Sequence, residues 1–140
     1  MKIRIFYDRV SYRIKRSKEI KSLVEKVIRG ENRIPGDLNF IVTGDKRIRK
    51  LNNEFLGHNY FTDVIAFNYS ENEIVNGEVY MSIDTVRKNA VNYEVSLNKE
   101  VLRVMIHGTL HLCGLNDRTE KERVFMRKLE DRWIEELLGD

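Results

Sequence analysis

Cysteine, proline and histidine are scarce in this chain of 140 residues, which has one cysteine, one proline and three histidines. A single cysteine excludes an internal disulfide and suits a reducing compartment. No apolar run approaches the roughly 20 residues that a membrane-spanning helix needs. Charges also interrupt every apolar patch at the N-terminus, which excludes a secretory signal there. We therefore expect a cytoplasmic protein without a membrane segment.

The composition is that of a charge-rich globular protein, with 41% hydrophobic and 34% charged residues. This length predicts one domain, residues 1–140, with a single core. The net charge of +3 and the pI near 9.0 permit a polyanionic partner such as RNA without requiring one.

Alternating and helical hydrophobic patterns predict an α+β fold. Strand patterns cover 2–7, 38–43, 64–68 and a stretch from Gly77 toward Ile83, and Pro35-Gly36 indicates a turn before the second of them. Helical patterns cover 17–30, 45–57, 84–93, 97–113 and a last segment after Thr119. A first parallel crossover and a later hairpin together predict a mixed four-stranded sheet packed with helices.

Residues 104–117 (VMIHGTLHLCGLND) concentrate the residues that suggest chemistry. His107 and His111 are four apart, which places both imidazoles on one helix face, where they can bind one metal ion. Gly114 offers a helix end, after which Asp117 can turn back toward the same ion. Two nitrogens, one carboxylate and an open position typify catalytic zinc sites. The alternative is a pair of histidines with ordinary hydrogen bonds beside the core.

Two neighbours of the histidines narrow the chemistry. Cys113 is two positions from His111 and hence off the histidine face, so we expect a packed thiol. Gly108 stands where zinc peptidases with the H-E-x-x-H motif carry their glutamate base, which argues against that class.

Three stretches resemble the YbeY family of zinc-dependent, single-strand-specific endoribonucleases. Residues 107–117 (HGTLHLCGLND) resemble its H-G-x-L-H-L-x-G-Y-D-H signature, 62–67 (TDVIAF) resemble T-D-V-L-S-F, and 77–85 (GEVYMSIDT) resemble G-D-I-x-I-S-x-D-T. The resemblance implies a zincin-like α+β layout with the metal motif on a central helix. It implies one Zn²⁺ per chain, bound by His107, His111 and Asp117, which would be catalytic through the metal.

The same resemblance implies a biological role and partners. It implies action in the maturation of the 16S rRNA 3′ end and in ribosome quality control. The expected partners are single-stranded RNA, ribosomal RNA and the ribosomal subunit, and no DNA is expected.

The chain departs from the family pattern at its third metal ligand. Asp117 replaces a histidine, and its negative charge would make the bound ion a weaker Lewis acid. Asn116 and Glu120 remain alternatives for this ligand.

A second departure is Leu56, which stands where the family has an important arginine. A leucine cannot clamp a phosphate as a guanidinium does. His58 is a candidate substrate-binding residue that could replace this function, and Arg87 and Arg103 are others.

Three functions stay open at this point. The preferred one is a zinc-dependent endoribonuclease of ribosomal RNA processing. The others are a metal-dependent hydrolase of another substrate and a non-catalytic ribosome-assembly protein with a structural metal, which the Leu56 substitution favours. Two imidazoles favour zinc, although nickel or copper would bind the same ligands.

Overall fold

A computed structural model describes residues 2–57 and 62–139 of the chain. Within these ranges the predicted order of elements is confirmed. The elements are β1 (Lys2–Tyr7), α1 (Ser17–Gly30), β2 (Ile34–Thr43), α2 (Asp45–Leu56), β3 (Val64–Asn68), β4 (Ile74–Ser82), α3 (Ile83–Asn92), α4 (Leu97–Leu112) and α5 (Glu120–Leu138).

The four strands form one mixed sheet in the order β1-β2-β4-β3. β1 and β4 both run parallel to β2, while β3 pairs antiparallel with β4. The expected parallel first crossover and the expected hairpin are therefore confirmed, and with them the α+β class. Apolar residues stand opposite one another across the sheet; for example, Phe40 pairs with Ile5 on one side and with Val79 on the other.

Two strands are longer than the sequence pattern predicted, and the turn expected at Pro35-Gly36 is wrong. β2 already begins at Ile34, which pairs with Ile74 at the start of β4. The register shifts between Pro35 and Leu38, and Asn76 Oδ1 accepts a hydrogen bond of 2.8 Å from the Asp37 backbone N–H. A proline lacks a ladder donor, and this irregularity lets the strand continue past it.

Helices cover both faces of the sheet. The main core joins one face to α1, α3, α4 and α5 and includes Val24, Leu38, Phe40, Leu102 and Ile106. A smaller cluster of Ile48, Leu51 and Ile65 lies on the other side of the sheet, where α2 packs against β3. The alternation of side chains along β3 and β4 produces this division between two faces.

Helix α4 is the central helix, as predicted. It contacts α1, α3 and α5 as well as β3 and β4, and most of its residues are buried. Gly108 permits the close approach to the sheet, because an added Cβ there would lie 2.6 Å from Val79 Cγ1. The two histidines therefore lie on a helix that is packed closely against the sheet.

Polar residues of stretch 77–85 hold the start of α2. The Asp84 Oδ2 atom accepts a hydrogen bond of 3.0 Å from the Asp45 backbone N–H, at the first residue of the helix. The Asp45 carboxylate in turn accepts hydrogen bonds from the hydroxyls of Ser82 and Thr85. Within the described residues these side chains therefore have a structural role, which fixes α2 against the β4–α3 junction.

Among the described residues, no helix combines the length and the apolar composition that crossing a membrane requires.

Candidate metal centre

His107 and His111 lie one turn apart on α4 with their rings together. The ring centroids are 4.5 Å apart and the planes are inclined by 80°. Both side chains are partly accessible, at 24% and 28%. Their spacing on a helix explains the pairing, since residues four apart share a face.

The end of α4 explains how the chain turns back toward the histidines. Gly114 has a φ of 99°, and its N–H bonds to the His111 carbonyl at 3.0 Å. The Leu115 N–H bonds to the Leu110 carbonyl at 3.1 Å. This pair of bonds is the Schellman arrangement, in which glycine is favoured because it accepts positive φ. The predicted helix end at Gly114 is confirmed.

The loop after Gly114 is anchored by the next helix. The Arg123 guanidinium donates hydrogen bonds to the backbone carbonyls of Asp117 (3.3 Å) and Arg118 (2.8 Å). Thr119 and Glu122 form a capping box at the start of α5, in which each side chain satisfies a backbone N–H of the other. These contacts hold the Asp117 loop close to the end of α4.

Asp117 completes a triangle of three donor atoms. Its Oδ2 atom lies 3.3 Å from Nε2 of His107 and 3.3 Å from Nε2 of His111, and the two Nε2 atoms are 3.0 Å apart. A tetrahedral zinc ion with bonds of 2.0–2.1 Å separates its ligand atoms by about 3.3 Å. The triangle therefore has the dimensions of one face of a zinc coordination sphere, and the group can hold a metal ion.

The hydrogen bonds of the two Nδ1 atoms determine the tautomer of each histidine and hence whether its Nε2 atom carries a lone pair. His111 Nδ1 lies 2.9 Å from the Leu115 carbonyl, which only accepts, so this nitrogen carries the proton. His107 Nδ1 lies 2.6 Å from Glu130 Oε2, an acceptor as well. In the neutral rings both Nε2 atoms are then acceptors, and they face the acceptor Asp117 Oδ2. Three facing lone pairs repel one another unless a metal cation, or a proton on one of the imidazoles, lies between them.

Glu130 was missed at the sequence level. It is buried on α5, where its second oxygen accepts a hydrogen bond of 3.0 Å from Arg103, which also pairs with Asp131 at 2.6 Å. Burial alone would lower the pKa of His107, but the hydrogen bond and charge of Glu130, followed by the charges of Asp117 and Asp63, outweigh it and raise that pKa. A glutamate on the buried side of an otherwise amphipathic helix was the available signal.

A cavity of about 230 Å³ borders the triangle on the side of His107 and Asp117. Burial raises the pKa of two carboxyl groups in its wall, Asp63 and Glu100, above the ordinary range. The remaining lining residues come from α3 and its C-cap, from α4 and from α5: Asn89, Tyr93, Arg103, Val104, Arg123, Met126, Arg127 and Glu130. The cavity gives a small ligand access to His107 and Asp117.

The alternatives for the third ligand lie elsewhere. Asn116 is exposed, and the Glu120 side chain is 82% exposed and pairs with Arg123. Cys113 is buried, as expected of a packed thiol, and burial raises its pKa to about 12. Among the described residues, His107, His111 and Asp117 are the group whose donor atoms converge.

The structure describes two of the three candidate replacements for the arginine that the family resemblance implies at position 56. Leu56 ends α2 and is 48% exposed. Arg103 lines the cavity but is already bound to two carboxylates, and Arg87 lines a separate hollow with Asp84 and Lys88. His58, the candidate substrate-binding residue, lies outside the described residues.

Comparisons with known proteins agree on one family. The family model described as Endoribonuclease YbeY matches residues 7–138. A protein of Christiangramia forsetii named Endoribonuclease YbeY is 35% identical over 129 residues, which cover 92% of this chain and 90% of the relative. A protein of the same name from Chlorobium phaeovibrioides is 41% identical over 116 residues, covering 83% and 78% respectively.

A solved structure also resembles this fold. The solution structure of TM1509 from Thermotoga maritima superimposes with a TM-score of 0.67 at 32% sequence identity. The match covers 99% of this chain and 90% of that protein. The likeness therefore extends over the sheet and the helices together.

Proposed function

This chain belongs to the endoribonuclease YbeY family, and we propose that it is a zinc-dependent endoribonuclease that cuts single-stranded RNA. Membership of this nuclease family supports hydrolysis of RNA. We further propose that residues 1–140 act as one domain in the cytoplasm. The proposed substrate is ribosomal RNA within the ribosomal subunit, at the 3′ end of 16S rRNA and in ribosome quality control.

The convergence of three acceptor atoms is the observation that carries the proposal. His107 Nε2, His111 Nε2 and Asp117 Oδ2 lie 3.0–3.3 Å from one another. A divalent cation placed between these three acceptors attracts all of them at once. The donor set of two imidazoles and one carboxylate is that of several hydrolytic zinc sites.

In this mechanism one set of residues would bind the ion and a second set would orient the binding side chains. His107, His111 and Asp117 would bind it, while Glu130 and the Leu115 carbonyl fix the orientation of the two imidazoles. When bound, zinc lowers the pKa of a coordinated water toward about 7 and polarises a phosphoryl oxygen as a Lewis acid. The negative charge of Asp117 makes this effect weaker than a third neutral imidazole would.

The cavity wall supplies the surroundings of the reacting phosphate. Asp63 and Glu100 line the cavity, and burial favours the protonated form of each carboxyl group. These groups disfavour a phosphate at the inner wall, so an RNA strand would approach His107 and Asp117 from the accessible edge of the cavity.

The deciding experiment is cleavage of labelled single-stranded RNA by the zinc-loaded protein, beside a His111→Ala variant and a duplex of the same sequence. We expect the native protein to cut the single strand, a chelator to stop it, and the variant and the duplex to show no cleavage. Equal cleavage by the native protein and the variant would reveal a contaminating nuclease. Bound zinc without cleavage of any RNA would overturn the proposal.

A second candidate, a ribosome-assembly protein with a structural metal, is favoured by Leu56 at the place of the family arginine. Sedimentation profiles of ribosomes from cells that carry only a variant which still binds zinc but no longer cleaves RNA would distinguish the two. Normal profiles would favour the assembly role, while accumulated subunit precursors would favour catalysis.

A further inference from the structure

The cavity beside the triangle carries an aromatic ring at its wall. Tyr93 follows α3 directly as its C-terminal cap, and 55% of the residue is exposed. An accessible tyrosine ring at the wall of a polar cavity is a surface on which a flat, unpaired base can stack. Bases inside a duplex already stack on their neighbours and cannot use such a surface.

One arginine in the same wall, Arg127, has a guanidinium group that is available to a ligand. Arg103 binds Glu130 and Asp131, and Arg123 binds two carbonyls and Glu120. Within ranges 2–57 and 62–139, the side chain of the exposed Arg127 makes no hydrogen bond or ion pair. Its charge nevertheless acts on the buried carboxyl of Glu100, where it lowers the pKa against the larger effect of burial.

The distribution of charge indicates where a phosphate would bind. The inner wall holds the carboxyl groups of Asp63, Glu100 and Glu130, which disfavour an anion deep in the cavity. The exposed Arg127 lies on α5, one helical turn before Glu130. An anion that enters the cavity therefore meets its attractive partner at the accessible edge.

We propose that Tyr93 and Arg127 form a nucleotide subsite in this cavity, in which a base stacks on the tyrosine ring and a backbone phosphate contacts the guanidinium. The subsite deepens the proposed function and rests on it, since it would position a single strand beside His107 and Asp117. It accounts for single-strand preference through the need for an unpaired base. It also supplies a cation to a chain that has Leu56 at the place of the family arginine.

The test measures RNA binding by metal-free protein in the presence of a chelator, so that cleavage does not interfere. The probes are a fluorescent ten-nucleotide single strand and an oligomer with the same backbone but abasic at every position. The variants are Tyr93→Ala, Tyr93→Phe and Arg127→Ala. Lys128→Ala is the matched control, because Lys128 is the exposed neighbour of Arg127 on α5 and does not line the cavity.

We expect Tyr93→Ala to weaken binding of the normal strand at least about fivefold and to leave the abasic oligomer unaffected, since a stacked base contributes about 1–3 kcal/mol. Tyr93→Phe should bind as the native protein does. Arg127→Ala should weaken both probes and reduce the salt dependence of log K by about 0.7, the value for one phosphate contact on a single strand. Lys128→Ala should lower the RNA affinity less than Arg127→Ala does.

Three results would overturn the subsite: no RNA binding by the native protein, normal-strand affinity unaffected by Tyr93→Ala, or equal effects of Arg127→Ala and Lys128→Ala. Circular dichroism of each variant excludes misfolding as the cause. Cleavage by the native protein with unaffected Tyr93 and Arg127 variants would reject the subsite alone. Lost binding in these variants without cleavage by the native protein would reject the proposed nuclease activity alone.

Discussion

Glu130 Oε2 lies 2.6 Å from His107 Nδ1, so a buried carboxylate on α5 sets the orientation of a ring on α4. The other Glu130 oxygen is held by Arg103 at 3.0 Å. A carboxylate behind a metal-binding imidazole fixes its tautomer and increases its basicity. The relationship gives α5 a part in the candidate metal centre although it contributes none of the three donor atoms.

Replacing Glu130 by glutamine should weaken zinc binding by about 10–100-fold, the range typical of losing such a partner. The amide keeps the shape of the side chain but loses its charge. Competition with a chromophoric chelator measures the affinity. Asp131→Asn is the control, because Asp131 shares Arg103 with Glu130 but, unlike Glu130, is 59% exposed in its side chain. Equal losses in both variants would mean that the Arg103 pairing matters and the His107 contact does not.

Replacing Asp117 by alanine should weaken zinc binding more than the loss of Glu130 does, since it removes a ligand atom and not its support. Asp117→His should restore binding and remove one negative charge from the site. The same chelator competition measures both variants. Unchanged zinc affinity in Asp117→Ala would show that the third ligand is another group.

Replacing Gly108 by alanine should destabilise the protein by about 1–3 kcal/mol, because the added methyl group would overlap Val79. At an exposed helix position the same change would stabilise by about 1 kcal/mol. Urea unfolding of the metal-free protein measures the free energy. Combined with Val79→Ala, the cost should be smaller than the sum of the two single changes. A Gly108→Ala protein as stable as the native one would contradict the packing of α4 on β4.

Cys113 should react slowly with a thiol reagent in the folded protein, with or without zinc. The residue is 3% exposed, and a pKa of about 12 leaves about one thiolate in ten thousand at pH 8. Unfolding in urea should make the thiol react at the rate of a free cysteine. Rapid reaction after addition of a chelator to the folded protein would place Cys113 at the metal instead of in the core.

The periodic parts of the fold could be predicted from sequence because one face of each element is apolar. α4 was recognisable from its two histidines, the apolar run before them and Gly114 after them. The extension of β2 through Pro35 was not predictable in the same way. It depends on the distant Asn76 side chain, which accepts a hydrogen bond from the Asp37 N–H.

In the site, too, residues close together in sequence could be predicted and residues from distant elements could not. Its three donor atoms lie within eleven consecutive residues, and their spacing was enough to predict the triangle. Glu130 and the wall residues Tyr93 and Arg127 come from other helices, and only the folded chain brings them to the cavity. Met126, Glu130 and Ile134 share the buried side of α5, so a glutamate between two apolar residues at helical spacing was the clue to Glu130.

The Schellman end at Gly114 has a consequence for the protonation of the histidine before it. The bonds that reverse the chain also bring the Leu115 carbonyl to His111 Nδ1, so the backbone that ends the helix selects the tautomer of the histidine before it. Most contacts at the triangle span only a few residues. The geometry of this helix end therefore sets which nitrogen of His111 faces His107 and Asp117.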